Sequence, residues 1–215
     1  MHRFFAFNKN GNIELFEEEK KHFKVLRIEE GELIELVIDD KIYEAKFEKG
    51  SFRLLEEKTK PPDVKIYVNV CIPMKLQTLE TIIDYAVQAG AFEITPVFCK
   101  RSFQDKNKLL EKYQRFQRIL KEAIKQSRPS FLPVLNYPIS LKEISLKGHG
   151  VLFDSFQKPK NQLVKASSYT LVFGPEGGLS KEEVEFLKGT GFSAYSLGDN
   201  ILREELAVFA GIFMV

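Results

Sequence analysis

The first sixty residues carry short runs in which apolar and polar positions alternate, which is the period of a half-buried β-strand. These runs occupy residues 3–7, 32–38, 41–48 and 51–55. Turn-type pairs, Asp39-Asp40 and Lys49-Gly50, separate the last three runs and predict an antiparallel meander. Two prolines at positions 61 and 62 then end the pattern. We therefore predict a small β-barrel or sandwich domain over residues 1–62.

From residue 63 onward, apolar runs alternate with segments of helical period. The strand candidates are residues 64–72, 92–97, 150–153, 170–173 and 193–197, and the helix candidates are residues 76–89, 108–126, 180–188 and 203–213. Near-continuous apolar strands that alternate with helices are typical of a parallel sheet covered on both faces. Residues 63–215 are therefore predicted to form an α/β domain, in which ligands bind beyond the carboxyl ends of the strands.

Two glycine-containing loops follow predicted strands at such ends, within LVFGPEGGLS at residues 171–180 and LGDNILREE at residues 197–205. Glycine lets backbone amides approach a ligand closely, and a helix start supplies unpaired N–H groups. Ser180 is also the expected N-cap of the next helix, with Glu182 or Glu183 in its first turn. Capping alone does not account for a proline, a glutamate and three glycines in one turn. The pair of loops therefore predicts a site for a nucleotide-like cofactor.

Two common nucleotide-binding motifs are disfavoured. Residues 189–194, GTGFSA, match the GxGxxG/A dinucleotide fingerprint, but they follow a predicted helix and precede a strand. The fingerprint needs the reverse order, so that the pyrophosphate meets a helix N-terminus, and we assign these residues to a helix C-cap and turn. The segment GPEGG at residues 174–178 lacks the Lys-Ser/Thr ending of a P-loop, which disfavours hydrolysis of ATP or GTP.

Composition narrows the class of protein further. The 215 residues, 44% of them hydrophobic, can fill a sizeable core. No apolar run approaches the roughly 18 residues of a membrane span, and residues 1–9 lack the apolar core of a secretory signal. We therefore expect a cytoplasmic protein with no membrane partner. The only cysteines, Cys71 and Cys99, are expected to be buried, inert thiols, and the three scattered histidines give no indication of a metal site.

The net charge of +2 hides a local excess of positive charge. Residues 98–128 contain 10 Lys or Arg and 3 Asp or Glu. A polyanion is the natural partner of such a segment. The segment is also amphipathic at helical spacing, so a solvated helix face is the alternative interpretation.

Several motifs together resemble one family, the 16S ribosomal RNA uridine-N3 methyltransferases of the SPOUT class. The match rests on FGPEGGLS at residues 173–180 with Glu183, and on LG at 197–198 followed by ILREE at 201–205 and Ala207. Further matches are His22 with VLR at 25–27, ITP at 94–96 with RS at 101–102, and Glu122 with QSR at 126–128 before Pro133. The resemblance covers nearly the whole chain.

The resemblance implies a fold that periodicity does not reveal. Residues 1–62 would form a PUA-like β-barrel, and residues 63–215 a SPOUT α/β domain whose end is threaded through a deep trefoil knot. It implies a homodimer and S-adenosylmethionine as cofactor, held mainly by backbone groups of the knot, with Asp154 nearby. The implied cofactor-binding residues are Leu152, Phe153, Phe173, Gly174, Pro175, Glu176, Gly178, Ser196, Leu197, Gly198, Asn200, Ile201 and Leu202.

The chain departs from the family pattern at two places. The family usually has Gly-Pro-Arg where this chain has GDN at 198–200, and Arg-Thr/Val-Glu-Thr-Ala where it has REELA at 203–207. These changes remove a basic side chain at Asn200 and a hydroxyl at Leu206. They leave Arg203 and Glu205 in place.

Methylation of uracil N3 requires removal of the N3 proton or stabilisation of the uracil anion. Arg203 is the candidate for stabilisation, because its guanidinium is planar and always charged. Glu205 could orient Arg203 or accept a proton, or it could simply interact with the dipole of its helix. Because N3 lies on the Watson–Crick edge, the target base must be unpaired.

The substrate implied by the resemblance is 16S rRNA of the 30S subunit. The candidate phosphate contacts are Lys100, Arg101, Lys108, Lys112, Arg115 and Arg128, extended over the β-domain by Arg3, Lys24 and Arg27. Two alternatives remain open. The same fold could methylate another RNA position, such as a ribose 2′-oxygen, or the chain could be a non-catalytic RNA-binding or ribosome-assembly protein.

Overall fold

The computed structural model describes residues 1–153 and 163–215, which form two units. Unit 1 comprises Met1–Pro62 and Lys125–Leu132, and unit 2 comprises Asp63–Ile124 and Pro133–Val215. The sequence analysis assigned residues 125–132 to the second domain. The structure groups them with unit 1, where Arg3 donates from Nη1 to the carbonyl oxygen of Pro129 at 2.9 Å and Lys60 donates from its amide to that of Ser130 at 2.7 Å.

Unit 1 is built on a five-stranded sheet with the order β2-β1-β3-β4-β5. Its strands are β1 (Arg3–Lys9), β2 (Asn12–Leu15), β3 (Leu33–Ile38), β4 (Lys41–Glu48) and β5 (Ser51–Glu57). Strands β3, β4 and β5 pair antiparallel, as the turn pairs predicted, whereas β1 runs parallel to β3. Strand β2 also lies against β5, so the two edges of the sheet approach each other.

A helix that the sequence analysis did not predict, α1 (Glu17–Leu26), packs on this sheet. Its sequence EEEKKHFKVL has few apolar positions, so no helical period was visible. The ring of Phe23 supplies most of the contact, because it lies 5.4 Å from Phe4, 5.0 Å from Phe47 and 5.6 Å from Phe52, in each case edge to face. Leu26 packs against the same core cluster, so two apolar side chains of the helix cover the core of unit 1.

Unit 2 contains a sheet with the order β12-β10-β11-β6-β7-β8, in which β9 also pairs with β7. The strands are β6 (Lys65–Cys71), β7 (Glu93–Phe98), β8 (Val134–Leu135), β9 (Ile139–Ser140), β10 (His149–Phe153), β11 (Ser168–Phe173) and β12 (Phe192–Tyr195). Every pairing is parallel. The predicted parallel α/β architecture is therefore confirmed.

The helices that begin in unit 2 are α2 (Leu76–Gln88), α3 (Lys106–Glu111), α4 (Tyr113–Ser127), α5 (Lys181–Gly189) and α6 (Glu204–Phe213), and the last three residues of α4 belong to unit 1. The single helix predicted over 108–126 is wrong in one respect, because the helical path is divided at Lys112. The side chain of Asp105 caps α3 by accepting from the amide of Lys108. Residues 189–191 form the end of α5 and the turn that follows it, as expected from their place after a helix, and residues 192–194 already belong to β12.

Candidate functional site

Three neighbouring parallel strands of unit 2 end side by side. In the pairing register, Phe153 at the end of β10 is opposite both Phe173 at the end of β11 and Tyr195 at the end of β12. The rings of Phe153 and Phe173 are stacked, with centroids 4.8 Å apart and planes 15° from parallel. The loops after β11 and β12 therefore start from the same end of the sheet, beside the stacked rings of Phe153 and Phe173, which we call the aromatic floor.

The first loop turns sharply between β11 and α5. The amide of Gly178 donates to the carbonyl oxygen of Pro175 at 2.7 Å, and Gly178 has a φ of +67°, which favours glycine. A Cβ on Gly174 would lie 3.2 Å from the amide nitrogen of Leu179. Ser180 caps α5 in a capping box with Glu183, which confirms its expected role.

Residues from two other strand ends hold this loop in place. Arg101 donates from Nη1 to the carbonyl oxygen of Gly177 at 2.7 Å. The amide of Met74 donates to Oε2 of Glu176 at 3.2 Å, and the amide of Lys100 donates to Oε1 of Glu183 at 2.6 Å. The loop is thus tied to the segments that follow β6 and β7. Arg101, predicted from the sequence as an RNA contact, is exposed and uses Nη1 of its guanidinium to hold this loop.

The second loop connects β12 to α6 and is organised by Ser196. This buried hydroxyl accepts from the amide of Gly198 at 3.3 Å and donates to the carbonyl oxygen of Gly198 at 2.8 Å. Gly198 has a φ of +127°, a conformation that L side chains rarely adopt. Beyond it, Asn200 is exposed and Ile201 is 83% exposed. The loop is therefore held by hydrogen bonds where it leaves β12, and it is exposed to solvent at Asn200 and Ile201.

Between the two loops lies a cleft of ≈ 210 Å³. Its lining residues are Phe153, Phe173, Gly174, Pro175, Glu176, Gly177, Gly178, Leu179, Ser196, Leu197, Asn200, Ile201, Leu202, Glu204 and Ala207. All but two of the predicted cofactor residues are among them. Leu152 instead lies in the core beside Cys71 and Val172, since alternate residues of a strand face opposite sides of the sheet. Gly198 is exposed and hydrogen-bonded to the hydroxyl of Ser196. Asp154 lies outside the described residues.

Sequence reasoning missed the most unusual residue of the cleft, Glu204. The residue is only 7% exposed, and both carboxyl oxygens are buried without a hydrogen-bond partner among the described residues. Burial, reinforced by the nearby Glu176, raises the pKa of Glu204 to about 9. The sequence did contain a signal for this residue. Position 204 is glutamate, whereas the resembled family usually has threonine or valine there, and no role was predicted for this difference.

The two predicted catalytic residues stand at the start of α6 and do not line the cleft. Arg203 is the exposed N-cap residue of the helix, and in the described part of the chain its guanidinium has no hydrogen-bond or ion-pair partner. Nothing described thus supports a surface ion pair as its role. Glu205 is half-buried in the first turn, close enough to Glu204 to raise the pKa of that carboxyl. Both residues are adjacent in sequence to the lining residues Leu202 and Glu204.

One predicted RNA contact is wrong. Arg3 is 4% exposed, its Nε donates to Oε2 of Glu35 at 3.0 Å, and its Nη1 is bonded to Pro129. Burial lowers the pKa of this guanidinium, while the Glu35 carboxylate opposes that shift. Because Arg3 belongs to a strand packed in the core of unit 1, its side chain is a structural element and cannot reach a phosphate.

The remaining predicted RNA contacts are accessible to solvent, but they differ in whether another group of the protein already pairs with the basic side chain. Lys24, Arg27, Lys100 and Lys108 are exposed, and Lys112 is half-buried. Arg115 is exposed but makes a two-bond pair with Glu80, with Nε 2.7 Å from Oε1 and Nη2 2.8 Å from Oε2. Arg128, also exposed, donates from Nη1 to the carbonyl oxygen of Met1 at 2.7 Å.

Other expectations concern cysteines, metals and membranes. Cys71 and Cys99 are both buried free thiols, as expected, and burial raises the pKa of Cys71 well above its usual value. Across residues 1–153 and 163–215, no cluster of three or more His, Cys, Asp or Glu side chains could hold a metal ion. No helix in the same residues has the length and apolar character needed to cross a membrane.

Comparison with known proteins adds an independent line of information. The family model of an RNA methyltransferase domain matches residues 60–214. The chain is 34% identical to ribosomal RNA small subunit methyltransferase E of Aquifex aeolicus, over 97% of this chain and 96% of the relative. It is 29% identical to the protein of the same name from Mesomycoplasma hyopneumoniae, over 96% and 95% of the two chains.

Solved structures have the same fold. A Legionella pneumophila protein, solved with the cofactor SAM bound, superimposes with a TM-score of 0.79 at 26% identity, covering 99% of this chain and 96% of that one. A ribosomal RNA small subunit methyltransferase E from Neisseria gonorrhoeae gives a TM-score of 0.81 at 23% identity, covering 99% and 95%.

Proposed function

Because this chain belongs to the RNA methyltransferase family, we propose that it methylates N3 of a uridine in 16S rRNA of the small ribosomal subunit. It is an S-adenosylmethionine-dependent rRNA methyltransferase. The choice of N3 as the methylated atom rests on the sequence resemblance. The geometry of the cleft is the observation that carries the proposal, since the two glycine loops form one cavity at the ends of β10, β11 and β12.

The residues of the cleft fit this cofactor. Phe153 and Phe173 offer apolar surface, and the glycines of the first loop leave backbone groups accessible. The ionisable side chains in the lining are the carboxyl groups of Glu176 and Glu204, with no Lys, Arg or His among the described lining residues. Such a lining suits a positively charged ligand. S-adenosylmethionine supplies an electrophilic methyl group on a positively charged sulfur.

The residues of this chain have to hold the uracil and favour loss of its N3 proton. Arg203 stands next to the cleft with its guanidinium uncommitted in the described structure, so it can donate to the uracil oxygens and stabilise the anion. Glu205, two residues further on in the first turn of α6, orients Arg203 or receives the proton through water. Positioning of the base against the cleft supplies much of the remaining rate enhancement.

RNA is held mainly through phosphates, because N3 is accessible only in an unpaired base. In unit 2 the exposed basic residues of α3 and α4 and Lys100 provide such contacts, and in unit 1 they are Lys24, Arg27 and Arg128. We place the protein in the cytoplasm, where its substrate is assembled. Arg101 is exposed and remains a candidate RNA contact, and it also supports the first glycine loop through its bond to Gly177.

Three structural features complete the proposal. Unit 1 is a PUA-like barrel, which is supported by the approach of β2 to β5. The end of unit 2 forms a trefoil knot, supported by the strand order β12-β10-β11-β6 and by the contacts that α6 makes with β11 and α2.

The chain acts as a homodimer, supported by the exposed apolar side chains Leu206, Phe209, Phe213 and Met214 on and after α6. Light scattering of the wild type and Phe213→Glu tests the dimer.

Methyl transfer to 30S subunits tests the function. Wild-type protein is incubated with 30S subunits that lack the modification and with S-adenosylmethionine labelled in its methyl group. We expect incorporation into 16S rRNA, a loss of about 100-fold in rate for Arg203→Ala, and little change for the control Arg53→Ala, which removes an exposed arginine paired with Glu48. No incorporation with the wild type, despite binding of RNA, would instead support a non-catalytic assembly protein.

A further inference from the structure

We propose that Glu204 favours binding of the positively charged cofactor S-adenosylmethionine over its neutral-thioether product, S-adenosylhomocysteine. Glu204 holds a proton in the free protein and releases it when S-adenosylmethionine binds. This inference rests on the proposed function, because it concerns the same cleft. It assigns to Glu204 a part in cofactor recognition that the family pattern does not contain, since the resembled family usually has threonine or valine at this position.

The position of Glu204 is the first argument. It is the first residue of α6, it lines the cleft, and it is 93% buried, as 7% of it is exposed. Both oxygens of its carboxyl group are buried and lack a hydrogen-bond partner among the described residues. A buried carboxyl group without partners costs free energy unless a ligand or a proton compensates it.

The surroundings of Glu204 keep the carboxyl group protonated in the free protein. Burial is the largest cause, and the Glu176 carboxylate from the first loop, the Cys99 thiol after β7 and Glu205 on the same helix all oppose ionisation. Cys71 at the end of β6 also interacts with Glu204, and burial raises the pKa of its thiol, so that it stays neutral. In the described structure no basic side chain of the cleft lining offsets these groups. A positive charge from a ligand is therefore the missing partner.

The charge of the cofactor changes during the reaction that the proposed function describes. S-adenosylmethionine carries a sulfonium, whereas the product S-adenosylhomocysteine has a neutral thioether in its place. When the sulfonium compound binds, the Glu204 O–H bond breaks, the proton passes to solvent and the carboxylate faces the positive charge. When the product occupies the cleft, the sulfonium charge is gone and the carboxylate takes a proton back. Glu204 thereby weakens binding of the product relative to the cofactor.

Calorimetry on the purified protein measures this linkage directly. Binding of S-adenosylmethionine and of S-adenosylhomocysteine is titrated at pH 7.5 in phosphate and in Tris, whose different ionisation enthalpies report the protons released. We expect the wild type to release up to about one more proton with the sulfonium compound than with the product. In Glu204→Gln this extra release disappears, and the ratio of the two dissociation constants changes by about tenfold or more in favour of the product. The exposed Glu185→Gln serves as the matched control and behaves as the wild type.

The outcomes separate this inference from the proposed function. Failure of the wild type to bind either compound would overturn the proposed function. Binding of both compounds with equal proton release, or an unchanged ratio of dissociation constants in Glu204→Gln, would overturn the role of Glu204 and leave the proposed function intact. Glu204→Thr, which introduces a residue found in the resembled family, repeats the test if the glutamine variant does not fold.

Discussion

The guanidinium of Arg101 donates a hydrogen bond of 2.7 Å to the carbonyl oxygen of Gly177, which lies 76 positions further along the chain. This bond ties the segment after β7 to the glycine loop after β11. A Cβ on Gly177 would lie 3.4 Å from Cδ of Arg101, so the side chain lies directly against the loop. The geometry of the cofactor cleft therefore depends on a residue outside its lining.

Replacement of Arg101 should loosen this loop. Hydrogen bonds to charged groups contribute about 1.5–3 kcal/mol, and exposure of the arginine places this one at the low end. We expect Arg101→Ala to weaken S-adenosylmethionine binding by about tenfold in calorimetry. The control Lys106→Ala removes an exposed charge from the same segment and should leave the affinity unchanged. Unaltered affinity in Arg101→Ala would show that the loop does not need this bond.

Gly211 sets the distance between α6 and the aromatic floor. A Cβ at this position would lie 2.7 Å from ring atoms of Phe173 and 2.8 Å from Phe153, closer than real contacts allow. We expect Gly211→Ala to lower the free energy of unfolding by about 1–3 kcal/mol and to weaken cofactor binding, because α6 carries Glu204 and Ala207 of the cleft.

Urea denaturation checks this loss of stability. Gly189→Ala provides the matched control, since nothing lies within 4 Å of a Cβ at that position and its φ is not positive. Alanine at Gly189 should leave the stability unchanged or raise it slightly. Equal stability of the two variants would contradict the close packing of α6 on Phe173.

The buried carboxyl group makes the stability of the free protein depend on pH. The pKa of Glu204 is raised to about 9 in the fold, from 4.5. Between these values the folded state keeps a proton that the unfolded state loses, so this contribution to stability falls as the pH rises. We expect Glu204→Gln to gain stability over the wild type from pH 5.5 to pH 8.5, by up to about 1.4 kcal/mol per pH unit. A constant difference in urea denaturation at the two pH values would refute the raised pKa.

Arg3 should matter for folding and not for RNA. Arg3→Ala removes the buried partner of Glu35 and a bond to Pro129, and we expect it to cost about 3 kcal/mol of stability. Lys24→Ala, an exposed change in the same unit, should leave the stability unchanged while it weakens RNA binding. Thermal denaturation and filter binding of 16S rRNA fragments measure the two effects. A stable Arg3→Ala protein with reduced RNA affinity would restore the original interpretation of this residue.

The strands of unit 2 and the two glycine loops could be predicted because each depends on local pattern. Continuous apolar runs mark strands that are buried on both faces, and the Ser180 cap with Glu183 is a local signal. The parallel order of the strands brought the two loops together at one edge, as expected. That most of the predicted cofactor residues line one cleft follows from this placement.

What the sequence did not reveal depends on contacts between distant segments. Helix α1 has too few apolar positions to show a period, and it packs on the core through Phe23 and Leu26. Arg3 looked like a surface cation, but pairing of β1 with β3 places it beside Glu35. Burial of Glu204 follows from the packing of α6, which a first-turn glutamate does not disclose. Arg101 was noticed for its charge, but the sequence did not show its hydrogen bond to a backbone oxygen 76 positions away.

The location of the methyl group tests the central claim most directly. 16S rRNA is recovered from 30S subunits treated with the protein and labelled S-adenosylmethionine, digested to nucleosides and analysed by mass spectrometry. The account predicts a single modified nucleoside, a uridine with the label on N3 of the base. A label on the ribose 2′-oxygen, or on another base, would contradict it.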